Sequence, residues 1–137
     1  MKTDELMNSL RSASSVENYL GNNEPHLITA SVATLLEQWC DRKGVTKASV
    51  IHGAELNEIY GYQIFAGTRV PSRDKLICLG LSLQLNEDEL QSLLKAAGMA
   101  PLYPKRKRDS IVLFGVMHGQ SVWQINQALF DAGEETL

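Results

Sequence analysis

Residues 44–72 read GVTKASVIHGAELNEIYGYQIFAGTRVPS. Gly44 is suited to the left-handed residue that ends a helix, and Thr46 can cap the free N–H groups of the next one. The pattern predicts a short helix over 47–54. Asn57, another good cap, opens a second over 57–66, and Gly67 closes it. Pro71 forbids simple continuation and Ser72 caps a further helix through about 83. Val50, Ile51, Ala54, Leu56 and Ile64 form a shared apolar seam, with Ala54 small where the two helices must approach.

This stretch resembles, without gaps, the helix-turn-helix of the phage-repressor (Cro/cI, or XRE) family. The likeness continues more weakly through the next helix and LNEDEL at 85–90. It implies that the helix over 57–66 lies in the DNA major groove. Glu58, Ile59 and Gln63 match the positions that present side chains to base edges. Gln63 is the leading candidate, because a carboxamide pairs bidentately with adenine. Glu58 would accept from a cytosine amino group and Ile59 would touch a thymine methyl. Tyr62 is expected to be exposed beside them. Lys47 matches a DNA-contacting position at the start of the first helix, and Thr68 and Arg69 would lie near phosphates. Gly61, Glu55 and Phe65 depart from the family, which favours an aliphatic residue, a turn glycine and an acidic residue there. The glycine is expected to remove packing, with Tyr60 and Phe65 filling the hole beside it.

Towards the N-terminus, Val32, Leu35, Leu36, Trp39 and Cys40 recur at three- and four-residue spacing. They predict a helix over 30–43 ending in Arg42 and Lys43, cations suited to its negative end. Residues 1–26 are polar and rich in Ser and Asn. They read as an arm or strap, with a short helix over 4–10 as the alternative and a turn at Gly21-Asn22-Asn23.

Towards the C-terminus, Asn86 with Glu89 forms a capping-box signature and Gly98 a stop. Lys105, Arg106, Lys107 and Arg108 follow, a run suited to a solvated linker or to phosphate contacts. A helix from 106 or 109 to 117, and another opened by Ser121 with Gln124 and closed by Gly133, complete the pattern. Ile111, Val112, Phe114, Val116, Trp123, Ile125, Leu129 and Phe130 are more apolar surface than two helices bury by themselves. They must cover the core or meet a second subunit. No segment reads as a strand, and the sequence shows no clear internal repeat.

The bulk composition narrows the function classes. A 137-residue chain with 44% hydrophobic residues builds a real core, and a net charge of −3 means that any nucleic-acid contact needs a local basic patch. Between 45 and 75 that patch is thin, because Lys47, Arg69, Arg73 and Lys75 outnumber Glu55, Glu58 and Asp74 by one. Cys40 and Cys78 form no CxxC pair, which argues against a disulfide framework or cysteine zinc site. His26, His52 and His118 lack metal-ligand spacing. No catalytic constellation, metal site or cofactor motif stands out. Residues 110–130 contain no Asp, Glu, Lys or Arg, but His118, Gln120 and other polar residues divide them into pieces too short to span a bilayer. With Asp4 and Glu5 in place of a signal-peptide run, a cytoplasmic location is expected.

The sequence therefore predicts an all-α protein: a polar arm (1–26), a five-helix phage-repressor-like domain (27–100), and a basic linker with a C-terminal helical hairpin (101–137). The expected function is sequence-specific regulation of transcription on double-stranded DNA, with a homodimer as a candidate state and no membrane partner. The alternative is a protein-interaction adaptor on a degenerate helix-turn-helix scaffold, whose protein partner would meet Tyr62, the C-terminal hairpin or the serine-rich arm.

Overall fold

The computed structural model describes residues 3–23 and 31–137. All regular structure in them is helical: α1 (Thr3–Ser12), α2 (Val16–Asn23), α3 (Val32–Lys43), α4 (Lys47–Gly53), α5 (Glu58–Ala66), α6 (Arg73–Ser82), α7 (Glu87–Ala96), α8 (Lys107–Met117) and α9 (Val122–Asp131). The start expected at residue 30, and His26, lie outside the described residues.

The polar N-terminal segment is helical where it is described, and its first helix matches the alternative of a short helix over 4–10. The segment forms α1 and α2, which pack on each other. Ser15 accepts from the Asn18 N–H and so starts α2, which then runs through Gly21-Asn22-Asn23 instead of turning there. Local capping outweighs the turn preference of three weak helix formers. α1 buries none of its residues.

From α3 to α9 every helix stops by local chemistry, and all but α8 start by it. Ser31, Thr46, Asn57, Ser72, Asn86 and Ser121 each accept from the N–H three residues on. Asn86/Glu89 and Ser121/Gln124 form complete capping boxes. All seven helices end in a left-handed residue whose follower donates its N–H to the carbonyl five residues back, as Leu56 does to Ile51 and Leu85 to Gly80. Five of these left-handed residues are glycine; Glu55 (φ 58°) and Gln84 (φ 56°) are not.

α6 is the centre. Leu76, Ile77, Cys78, Leu79, Gly80 and Leu81 are all buried, and α4, α7 and α9 pack around it. One apolar core runs from Leu36 of α3 to Leu129 of α9, and Val112, Leu113, Val116, Val122 and Ile125 bring the C-terminal hairpin into it.

That hairpin repeats α6–α7 at a spacing of 35 residues, a relation the sequence reading missed. Arg73-Asp74 corresponds to Arg108-Asp109, Gly80 to Gly115, and Gly98 to Gly133. The bonding repeats too. Arg73 donates to the carbonyls of Ala100 (2.9 Å) and Pro101 (3.1 Å), and Arg108 donates to those of Glu135 (2.9 Å) and Thr136 (3.1 Å). Gln91 accepts from the Leu102 N–H as Asn126 accepts from that of Leu137. A Cβ on Gly80 would strike Leu90, and one on Gly115 would strike the equivalent Ile125.

The two units grip each other crosswise. Arg73 holds Asp109 by two bonds of 3.2 and 3.0 Å, and Arg108 holds Asp74 by two of 2.9 Å. Paired guanidinium–carboxylate forks of this kind are strong and directional. Burial pushes the Asp109 carboxyl up, but bonds from Arg73 and the Tyr103 N–H, with the charges of Arg73 and Arg106, outweigh it and leave the group below its ordinary value. The Arg108 guanidinium is raised, first by its bonds to Asp74.

Candidate nucleic-acid interface

The α4–α5 pair is fixed from below. Val50, Ile51, Ala54 and Ile64 are buried and Leu56 is half-buried, as the seam requires. Gly61 is buried against Ile51, whose Cγ2 lies 2.5 Å from where a Cβ would stand. The space beside this glycine is thus filled by Ile51, not by Tyr60 and Phe65 as expected. Phe65 is buried elsewhere in the core, with the Lys47 ammonium 5.9 Å from its ring, and half-buried Tyr60 carries the Arg69 guanidinium 5.6 Å from its ring.

The outward side of α5 is open. Glu58, Ile59, Tyr62, Gln63, Ala66 and Thr68 line one shallow concavity of about 440 Å³. Ile59 is 70% exposed and Tyr62 42%. Gln63 is half-buried, and its carboxamide makes no intramolecular hydrogen bond among the described residues. Its carbonyl accepts from the Thr68 N–H (3.0 Å) and hydroxyl (3.2 Å), which fixes Thr68 at the rim. Five of the seven residues expected to meet DNA therefore share one surface.

The cations lie apart from it. Lys47 reaches Glu37 of α3 at 3.4 Å. Arg69 leans on Tyr60. Lys105 and Arg106 are exposed outside α8, Arg106 at its cap position, while Lys107 and Arg108 sit in its first turn. Two cations are tolerated there because each is held by the chain. Lys107 donates to the Ala132 carbonyl and stands 4.0 Å from Glu134, and Arg108 is locked on Asp74. Arg106, Lys107 and Arg108 line a separate concavity of about 750 Å³, with Arg73, Tyr103, Asp109 and Glu134, which shares no residue with the α5 surface.

The two thiols are buried. Burial pushes Cys78 up to about 11 and also raises Cys40. His118 ends α8, its Nδ1 2.8 Å from the Phe114 carbonyl and its ring stacked on Phe114. Among the described residues no group of three or more His, Cys, Asp or Glu is placed to hold a metal, and no helix is long and apolar enough to cross a membrane.

Compared with protein-family models, curated proteins and solved structures, the chain matches none of them.

Proposed function

We propose that the chain is a sequence-specific, double-stranded DNA-binding regulator acting in the cytoplasm. In this reading α3–α7 form a five-helix phage-repressor-like domain and α8–α9 its two-helix extension. The observation that carries it is the shallow surface on α5 lined by Glu58, Ile59, Tyr62 and Gln63, where the half-buried Gln63 carboxamide has no hydrogen-bond partner among the described residues. A major groove admits one helix, and a carboxamide reads adenine there. Lys47 and Arg69 supply the nearby charge, and Lys105 and Arg106 are further cations for phosphates. Arg108, engaged by Asp74, serves the fold first. No catalytic residue, metal or cofactor is assigned.

The test is selection from random duplexes followed by fluorescence anisotropy at several salt concentrations. A preferred sequence with salt-dependent affinity is expected. Gln63→Ala should relax preference at one base position by about 1–3 kcal/mol, whereas Arg69→Ala should weaken all sequences alike. Equal, negligible affinity for every duplex at low salt overturns the reading.

A second reading is favoured by the apolar side of the same face. Ile59 and Tyr62, with Val70 (76% exposed) beyond them, suit a protein surface, and Glu58 opposes phosphate. An adaptor would lose its protein partner on Tyr62→Ala and Ile59→Ala while binding no duplex.

A further inference from the structure

The duplication of the α6–α7 hairpin supplies an internal control for every outward position of α8–α9. On α7 the exposed stripe carries Asp88, Ser92 and Lys95. The equivalent stripe on α9 carries Trp123, Gln127 and Phe130. Both stripes occupy the same place on the same hairpin, so folding does not demand aromatic rings there. Yet Trp123 is 64% exposed and Phe130 72%.

We propose that this face of α9 is where a second copy of the chain docks. Charge is the first argument. A two-fold contact sets a patch against itself, so any charge near the axis meets its own kind. From Val122 to Phe130 α9 carries no Asp, Glu, Lys or Arg, and charge enters only at Asp131 at its end, whereas the α7 counterpart opens with Glu87, Asp88 and Glu89. The stripe of Trp123, Gln127 and Phe130 can meet itself without desolvating a charge, which the stripe of Asp88, Ser92 and Lys95 cannot.

Area is the second. At roughly 200–250 Å² per aromatic side chain, the two rings leave on the order of 300 Å² of apolar surface in water. Phe114 and Met117 on the adjoining α8, 56% and 57% exposed, raise the hairpin's apolar surface to about 500 Å². A stable interface takes about 800 Å² from each partner, an apolar centre within a polar rim. Trp123 and Phe130, two turns apart on one stripe, provide the anchors, with exposed Gln127, which donates to Asp131, between them.

The test needs no DNA and so is independent of the regulator reading. Sedimentation equilibrium of the full chain over about 5–200 µM should give twice the 15.2 kDa chain mass. Trp123→Asp with Phe130→Lys installs the residue types that the α7 stripe already carries. The dissociation constant should rise at least 100-fold. The circular dichroism spectrum and the unfolding midpoint of the monomer should be unchanged, because both side chains already face water. A wild-type chain that stays at 15.2 kDa throughout overturns the proposal. That is the outcome expected if α1–α2 or a foreign protein covers the stripe instead. A dimer that survives both substitutions overturns it equally.

Discussion

Gly61 shows how one residue can look costly in a sequence and be required in the fold. In a helix interior glycine is about 1 kcal/mol worse than alanine. Here the Ile51 Cγ2 occupies the space a methyl would take, and a branched side chain cannot withdraw that atom without leaving its rotamer. Gly61→Ala should therefore destabilise by about 1–2 kcal/mol net, overpacking outweighing propensity. Adding Ile51→Ala, which removes both γ carbons, tests whether the clash is the cause: urea titration should show the pair losing less than the two single changes summed. Asp109 makes a different prediction. Its side chain is 6% exposed and carries a half-buried Arg73, so Asp109→Ala should cost about 3 kcal/mol at pH 7. Its carboxyl lies below the ordinary value of about 3.9. The stabilisation is thus complete above that value and lost as pH falls through it towards the lower folded value. The stability gap between wild type and Asp109→Asn should narrow between pH 7 and pH 3.

Helix ends were the most legible elements. Gly44, Gly67, Gly98 and Gly133 all read as stops and, like Gly119 after α8, take positive φ. The caps at Thr46, Asn57, Ser72, Asn86 and Ser121 read equally well, because capping is local chemistry. Glu55 and Gln84 carry no such signal in their residue type, though the resemblance implies a turn glycine at 55, and both adopt the left-handed conformation. Replacing Gln84 by glycine, as Gly119 stands in the matching turn of the second hairpin, should raise stability by about 0.5–1 kcal/mol. A thermal melt checks it. The repeat itself was illegible for a related reason. Between its halves only Arg73/Arg108, Asp74/Asp109, Gly80/Gly115, Leu94/Leu129, Ala97/Ala132, Gly98/Gly133 and Leu102/Leu137 are identical. An amphipathic hairpin needs only apolar spacing, so the remaining positions differ while the contacts that define the pair are the same. The candidate site was legible where a helix face sufficed, at Glu58, Ile59, Tyr62 and Gln63. It was not legible where the basic run was concerned, since Arg108 is held by Asp74, 34 positions away.

At the scale of the whole molecule, the continuous core from α3 to α9 predicts unfolding as a single cooperative unit, without separate melting of the C-terminal hairpin. Cys78 is a built-in reporter. Its thiol is buried on the central helix, and burial holds it near 11, so little thiolate forms at pH 8. Alkylation of Cys78 should be negligible in the folded chain and should follow the same denaturant midpoint as helicity. Modification well before that midpoint would mean that α6 opens by itself. The crosswise Arg–Asp lock has a further consequence for how such a chain can change. Each hairpin supplies the counter-ion that the other needs, so a substitution in one lock residue leaves a charge unpaired in its sibling. The exterior is under no such bond. One copy keeps an acidic, water-loving flank while its twin is at liberty to acquire aromatic rings, and novelty accumulates on the outside of a scaffold whose inner clasp cannot move.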